Sequence, residues 1–343
     1  MITPKERIIK VFNNEEVDRP PCICPGGMMN MITTDLMDRS NVFWPGAHLN
    51  GEKMAELASA NYENGCFENY GVPFCMTVEA EAMGAKATLG TKEYEPHVIE
   101  YAINSVDEYE NLKEMNLQEG RAKVVLDAIK ILKLKNDNVP IIGNITGPIS
   151  TASSLMEPVV FYKELRKKNK KAHEFMTFVT DEIINFARAQ IDAGADIIAI
   201  SDPSGSGEIL GPRDFEQFAV KYINKIIDSL QEEKIGTIVH ICGQMRSVYK
   251  EVNMIQSNAL SFDSVVSMKN ARANLPNRIL MGNVSTYTLE FGSPEKISLL
   301  TNKCVKDGSN IISPACGLGT KSPLKNIQSI LSTLNAEGIK VNV

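Results

Sequence analysis

The sequence predicts an α/β protein folded as a single (β/α)8 TIM barrel, in one domain that spans residues 1–343. The first observation is a rhythm in which short apolar runs alternate with long amphipathic stretches, as expected when helices connect parallel strands. The second is that these runs are apolar throughout, which indicates strands covered on both faces. The third is their number, about eight along the chain, which a closed barrel requires.

The predicted strands are spaced as the units of a barrel. In chain order they are residues 22–24, about 72–78, 139–144, 196–201, 237–240, 259–262, 278–283 and 310–313. The clearest helix covers residues 171–193, where apolar side chains recur at steps of three and four and Gly194 follows as a C-cap. An open, doubly wound sheet is the alternative, but residues 24–29 lack the glycine-rich loop that usually follows its first strand.

Two segments are predicted to lie outside the barrel. At the N-terminus Thr3 is a good N-cap, Pro4 suits the first helical position and Glu6 completes a capping box, which together predict a helical extension. Residues 85–104 combine β-branched and aromatic residues with turn formers and predict a small β-hairpin insertion.

Composition and charge argue against several functional classes. The net charge of −6 leaves no electrostatic footprint for nucleic acid. No apolar run approaches the ~20 residues of a transmembrane helix, and the N-terminus lacks an apolar signal region, so we expect no membrane contact and a cytoplasmic location. Seven widely spaced cysteines, an odd number, favour metal binding or buried thiols over disulfides.

Polar and sulfur side chains gather at the predicted strand ends, where barrel enzymes place their chemistry. His240 and Cys242 are two positions apart, so in an extended strand both side chains point to the same side. Cys316 follows the last strand and opens onto the same mouth. One imidazole and two thiolates suit Zn²⁺, with a fourth position for water or substrate. Packing is the competing explanation, because free cysteines are commonly buried.

Other residues near the strand ends are candidates for a fourth ligand or a substrate contact: Glu79, Asp202, Asp263 and Asn283. A salt bridge or a helix cap explains each acidic member equally well. The remaining cysteines have no companion histidine and are expected to fill the core: Cys22, Cys24, Cys66, Cys75 and Cys304.

At His240-Ile241-Cys242 and Cys316 the chain resembles the cobalamin-dependent methyltransferase branch of the uroporphyrinogen decarboxylase superfamily, and most of all its methylcobalamin:coenzyme M methyltransferase type. That branch carries a zinc motif of the form His-x-Cys followed much later by Cys. The resemblance covers nearly the whole chain and includes residues 16–21, 71–74, 77–81, 147–148, 201–207, 282–284 and 313–323.

The resemblance implies a bound zinc at His240, Cys242 and Cys316, methylcobalamin or a related corrinoid as co-substrate, and a separate corrinoid carrier protein. It implies a small thiol such as coenzyme M as methyl acceptor. The methionines after the first strand are candidates to contact the corrinoid: Met28, Met29 and Met31. A sulfonate on the thiol would meet one of four cations: Arg246, Lys269, Arg272 or Lys321.

Three alternatives stay open at this point. The same barrel and zinc could serve another methyl donor or another acceptor, tetrahydrofolate or homocysteine. A metal-free uroporphyrinogen decarboxylase is less favoured, since those enzymes use an arginine-rich N-terminal motif and no arginine occurs here between Arg19 and Arg39. A non-catalytic partner of a corrinoid protein would have no need of a three-ligand set.

Overall fold

The computed structural model describes residues 2–135, 138–233 and 235–337. Its helices are α1 (Pro4–Phe12), α2 (Thr34–Ser40), α3 (Gly51–Glu63), α4 (Val78–Ala82), α5 (Gly120–Lys135), α6 (Pro148–Leu155), α7 (Pro158–Lys167), α8 (Asn169–Ala193), α9 (Gly207–Asp214), α10 (Lys221–Ser229), α11 (Tyr249–Val252), α12 (Met268–Asn274), α13 (Thr286–Phe291), α14 (Pro294–Lys306) and α15 (Leu324–Glu337). The strands are β1 (Tyr70–Val72), β2 (Lys86–Thr88), β3 (His97–Glu100), β4 (Ile141–Thr146), β5 (Ile197–Ser201), β6 (Gly236–Ile241), β7 (Ala259–Phe262) and β8 (Ile279–Met281). The predicted domain range also contains Met1 and residues 136–137, 234 and 338–343, which lie outside the described residues, and the assignment of one domain stays a prediction.

A parallel sheet forms the centre of the molecule. Within the described ranges it has six strands in the order β1–β4–β5–β6–β7–β8. Every residue of β4, β5 and β7 is buried, because helices cover the outer face of these strands and the packed interior of the barrel covers the inner face. Their apolar sequences therefore need no alternation, as predicted.

Two short segments connect the edges of this sheet. Cys22 pairs with Ile312 in a parallel bridge, and Ile311 and Pro314 form parallel bridges with Met281 of β8 and with Val284 just beyond it. On the opposite side Asn69, just before β1, exchanges hydrogen bonds of 2.9 and 2.7 Å with the backbone of Cys24. The ring of eight chain segments agrees with the predicted (β/α)8 barrel.

Some predicted strand limits are wrong. The second strand is Tyr70–Val72 rather than about 72–78. Pro73 has no N–H to donate to a neighbouring strand, and the chain from Val78 onward is already helical, in α4. The predicted segments 22–24 and 310–313 pair through isolated bridges rather than as continuous strands.

The two predicted additions to the barrel are present. Helix α1 has Thr3 as its N-cap and the reciprocal capping box with Glu6. Strands β2 and β3 form an antiparallel hairpin within the predicted insertion. The long helix α8 ends at Gly194, whose φ of 119° suits the left-handed cap. None of the helices in the described ranges has the length and apolar character needed to cross a bilayer.

A buried ion cluster ties α1 to the start of the barrel. The Glu68 carboxylate accepts hydrogen bonds from Arg7 at 2.8 Å and from Arg19 at 2.7 and 2.8 Å. It also accepts the backbone N–H of Cys22 at 2.9 Å. The Glu68 side chain is 5% exposed, so its charge depends on these donors rather than on water.

We predict that Glu68→Ala lowers the free energy of unfolding by about 3–5 kcal/mol, because it leaves two guanidinium groups poorly compensated. Urea unfolding followed by circular dichroism measures the change. Glu15→Ala is the control, since it removes a solvent-exposed pair with Lys10 and should change stability by less than about 1 kcal/mol. Equal effects of the two variants would contradict the structural role assigned to Glu68.

Candidate metal centre

Three side chains from two separate parts of the chain meet at the carboxyl end of the strands. The ligand atoms of His240, Cys242 and Cys316 all lie within 4.8 Å of one another. His240 Nε2 is 3.3 Å from Cys242 Sγ, and the two Sγ atoms are 3.8 Å apart. His240 is buried and both cysteines are half-buried. The structure thus brings together the three residues that the sequence placed at one mouth.

Strand β6 and its following turn position the first two side chains. His240 lies near the end of β6, in register with Ser201 of β5 and Ser261 of β7. The turn after Cys242 contains Gly243 with φ of 79°, a left-handed conformation that favours glycine.

The Cys316 loop is held against the loop that follows the first barrel segment. The backbone N–H of Leu318 donates to the Asn30 carbonyl at 2.9 Å. A Cβ on Gly317 would lie 2.5 Å from the Met28 carbonyl oxygen, so only glycine permits this approach. Met28 Sδ lies 4.0 Å from Cys242 Sγ, which makes this half-buried methionine part of the wall of the site.

Two of the three spacings between these atoms are close to those around a tetrahedral zinc ion. With bond lengths of about 2.3 Å to sulfur and about 2.1 Å to nitrogen, tetrahedral angles place two sulfurs about 3.8 Å apart and a sulfur and a nitrogen about 3.6 Å apart. The corresponding distances here are 3.8 and 3.3 Å. Soft sulfur donors with an imidazole are also the donor set that zinc prefers.

The ionisation of Cys242 and that of Cys316 are coupled through the hydrogen bond between their sulfurs. Hydrogen bonds from Cys242 and then from His240 lower the pKa of Cys316 to about 5, against the opposing effect of burial. The pKa of Cys242 is raised, first by its hydrogen bond to Cys316 and then by burial. One thiolate is therefore favoured without a cation, and a bound cation would hold both sulfurs as thiolates.

The acidic candidates lie outside this group and have other partners. Asp202 accepts the backbone N–H groups of Ile149 and Ser150 at 3.2 and 2.7 Å, so it caps α6. Burial raises the pKa of Asp202 to about 6. Glu79 accepts the backbone N–H and the hydroxyl of Thr146 at 2.7 and 2.9 Å, and burial raises its pKa.

The last two candidates brace the loop after β7. Asp263 Oδ1 accepts the Val265 N–H at 3.2 Å, and Asn283 Nδ2 donates to the carbonyls of Asp263 and Val266, both at 2.8 Å. In the part of the chain that the structure describes, no carboxylate joins His240 and the two cysteines. Three protein ligands leave one tetrahedral position for an exogenous ligand.

Two expectations about the surroundings are wrong. Met29 and Met31 are fully buried, so they do not form a surface for a corrinoid. Arg272 donates to the carbonyls of Gly308 and Arg278, which precede their barrel segments, so it lies at the opposite end from the mouth. The sequence shows that a cation is near a strand but not which end it reaches.

Sequence reasoning missed the contacts that fix the Cys242 turn. Glu208 Oε2 accepts the Gln244 N–H at 3.0 Å, and the Gln244 side chain donates to the Val265 carbonyl at 3.1 Å. A Cβ on Gly243 would lie 2.5 Å from Glu208 Oε2. Only the glycine directly after Cys242 signals this turn in the sequence.

The tip of the hairpin packs on the loop that follows Cys316, another contact that the sequence does not reveal. Glu93 accepts the Thr320 hydroxyl through its carbonyl at 2.8 Å, and its carboxylate pairs with Lys321 at 2.9 Å. Two residues farther on, burial and then the charge of Cys316 raise the pKa of Glu95 to about 7. The insertion therefore forms part of the mouth.

We predict that Gly243→Ala weakens metal binding at this site. The left-handed backbone costs an alanine roughly 1–2 kcal/mol, and its methyl group displaces Glu208 from Gln244. Chelator competition should show about a tenfold loss of zinc affinity. Gly211→Ala also has positive φ but open space around its Cβ, so it serves as a control for backbone strain away from the three ligands. An unchanged zinc affinity in Gly243→Ala would contradict the role assigned to this turn.

Comparison with known proteins places the chain among relatives of similar length. Methylcobamide:CoM methyltransferase MtbA of Methanosarcina acetivorans is 34% identical over 331 residues, 96% of each protein. Methylcobamide:CoM methyltransferase MtaA of Methanosarcina barkeri is 32% identical over 334 residues, 96% of this chain and 97% of the relative. A solved methyltransferase from Methanosarcina mazei superposes with a TM-score of 0.91 at 32% identity, covering 98% of this chain and 99% of its own.

The resemblance inferred from the sequence is therefore confirmed. The model of the family described as uroporphyrinogen decarboxylase (URO-D) matches residues 3–336. The chain belongs to the uroporphyrinogen decarboxylase family.

Proposed function

We propose that this chain is a zinc-dependent methyltransferase that moves a methyl group from a methylated corrinoid, held on a carrier protein, to a small thiol such as coenzyme M. The observation that carries the proposal is the spacing of one nitrogen and two sulfurs, 3.3 and 3.8 Å, at the mouth of the barrel. The relatives named as methylcobamide:CoM methyltransferases support the same activity. The predicted cytoplasmic location stays part of this proposal.

His240, Cys242 and Cys316 would hold the zinc ion. Bound zinc supplies the acidity that converts a thiol of ordinary pKa near 8.5 into a thiolate at neutral pH. The thiolates of Cys242 and Cys316 would balance the charge of the dication, so a thiolate substrate would give the site a net negative charge. This excess charge keeps the substrate sulfur electron-rich and nucleophilic.

The residues around the site shape the environment in which the substrate thiolate reacts with the methyl donor. The half-buried Met28 thioether excludes water on one side of the sulfurs. The methyl acceptor is a thiolate and the methyl donor is an alkyl-cobalt(III) corrinoid, so attack on the methyl carbon forms the C–S bond and releases cobalt(I) with both electrons of the Co–C bond. With Cys242, Cys316 and His240 in three ligand positions, the acceptor sulfur would bind at the position that they leave open.

The donor set favours a thiol acceptor over the alternatives. A zinc ion with two thiolate ligands and one exchangeable position activates a sulfur nucleophile, and homocysteine offers the same sulfur chemistry. Tetrahydrofolate would present a nitrogen, which gains less from binding to a thiolate-rich zinc ion. A metal-free decarboxylase makes no use of the paired cysteines.

The first test concerns the metal. We expect about one zinc ion per chain in the purified protein, and a loss of zinc affinity of at least about 100-fold in Cys242→Ala and Cys316→Ala because each removes a thiolate ligand. Elemental analysis after dialysis against a chelator measures both. Cys66→Ala, which removes a buried thiol outside the group, is the control and should retain the metal. Full zinc content in all variants would contradict the ligand assignment.

The second test concerns the reaction. With methylcobalamin and coenzyme M, the corrinoid spectrum should show demethylation, and chelation of zinc should slow it by about 30-fold or more, because only about 3% of a free thiol of pKa near 8.5 is ionised at pH 7. Homocysteine and tetrahydrofolate are compared under the same conditions. Turnover with tetrahydrofolate but with no thiol would refute the proposed acceptor.

A further inference from the structure

The sulfurs of Cys242 and Cys316 are in direct contact. Their Sγ atoms are 3.8 Å apart, and either sulfur can donate the hydrogen bond between them. Cys242 lies directly beyond the end of β6, and Cys316 lies in the loop that follows the bridge of Pro314 to Val284, so neither residue is held within a strand. A disulfide bond of about 2.05 Å requires the two sulfurs to approach by less than about 2 Å.

Cysteine sulfurs elsewhere in the chain have other partners. Cys22 and Cys24 direct their thiols at backbone carbonyl oxygens, at 3.9 and 3.1 Å. Over the residues that the structure describes, Cys242 and Cys316 are the one pair of cysteines joined sulfur to sulfur by a hydrogen bond. A disulfide formed from the folded protein is therefore expected at this pair.

The same pair is the most accessible to a small oxidant. Cys242 and Cys316 are half-buried and lie at the open mouth of the barrel. The other cysteines are buried: Cys22, Cys24, Cys66, Cys75 and Cys304. Oxidation of cysteine follows exposure, and a nearby second cysteine directs it to a disulfide.

Hydrogen peroxide converts such a pair to a disulfide in two balanced steps. One cysteine sulfur attacks a peroxide oxygen and the O–O bond breaks, which gives a sulfenic acid and one water. The second cysteine sulfur then attacks the sulfenic sulfur, forms the S–S bond and releases the second water. The two sulfurs together lose two electrons, and both peroxide oxygens leave as water.

A small thiol reverses this modification by exchange. Its sulfur attacks one of the two bonded sulfurs, forms a mixed disulfide and frees the other cysteine with its electron pair and a proton. A second thiol molecule attacks the mixed disulfide, which frees the second cysteine and leaves the small molecule as its own disulfide. The proposed methyl acceptor is itself a small thiol.

We propose that Cys242 and Cys316 form a reversible disulfide in the metal-free protein, closed by peroxide and reopened by the acceptor thiol. The inference rests on the proposed function for the identity of this thiol and of the metal ion, whereas the cross-link is a property of the chain alone. A disulfide leaves neither sulfur as a thiolate ligand, so the cross-link and zinc binding exclude each other. Oxidation would thus withdraw the site from use until the acceptor thiol is present.

Thiol counting and peptide mapping test the cross-link. Metal-free protein is treated with hydrogen peroxide and denatured without a reductant, and its free thiols should fall by two from the 7 of the sequence. Mass spectrometry should find the Cys242 and Cys316 peptides joined, with two hydrogen atoms lost. Cys66→Ala, which removes a buried thiol outside the pair, is the matched control and should also lose two thiols. Cys316→Ala should give no such peptide, and Cys242 should instead be trapped as its sulfenic acid by dimedone.

Zinc binding and reversal provide the second measurement. The oxidised protein should bind zinc at least about 100-fold more weakly than the reduced protein, because both thiolate ligands are lost. Incubation with coenzyme M should restore the two thiols and the zinc affinity. The S-methylated form of coenzyme M has no thiol to exchange and should restore neither.

The outcomes separate the two proposals. Absence of the joined Cys242 and Cys316 peptides from oxidised metal-free protein, or an equal yield of cross-links among the buried cysteines, would overturn the disulfide. A cross-link that dithiothreitol reduces but coenzyme M does not would overturn the role given to the acceptor thiol. A protein that forms the cross-link but binds no zinc when reduced would refute the proposed function and leave the disulfide standing.

Discussion

The site depends on keeping two sulfurs and an imidazole nitrogen within 4.8 Å of one another, although Cys316 lies 74 residues after Cys242 in the chain. Two thiolates 3.8 Å apart would repel each other, so without a cation one of the two sulfurs keeps its proton and donates it in a hydrogen bond to the other. The lowered pKa of Cys316 and the raised pKa of Cys242 express this constraint. A bound dication would allow both sulfurs to ionise, because it stabilises two thiolates at once.

Strand register and loop packing at the carboxyl end of the barrel bring the three ligand atoms together. His240 is fixed by the register of β6 with its two neighbours, whereas Cys316 is fixed by the close approach of Gly317 to the loop after the first segment. The second contact exists only because segments 22–24 and 311–314 lie side by side. Asn69 and Glu68, at the entry to β1, hold the other side of the first segment through hydrogen bonds to the backbone N–H groups of Cys24 and Cys22.

The pattern of the sequence was enough to predict the barrel and the proximity of His240, Cys242 and Cys316. In such a fold the carboxyl ends of all strands lie at the same end of the barrel. The pattern was not enough to place Arg272, since a residue near a strand can lie at either end. It left the roles of Asp202 and Glu79 open between a ligand and a cap, and only the structure shows that their buried carboxylates accept backbone N–H groups from other elements. Nor could it give the 3.8 Å separation of the two sulfurs, which depends on how the loop after Cys316 packs against the loop after the first barrel segment.

The nature of the centre can be measured most directly by X-ray absorption at the zinc edge of the purified protein. We expect two sulfur neighbours at about 2.3 Å and one or two nitrogen or oxygen neighbours at about 2.0–2.1 Å, including the multiple-scattering signature of one imidazole. A zinc shell without sulfur, or one with four sulfurs, would contradict a centre built from His240, Cys242 and Cys316 with one exchangeable position.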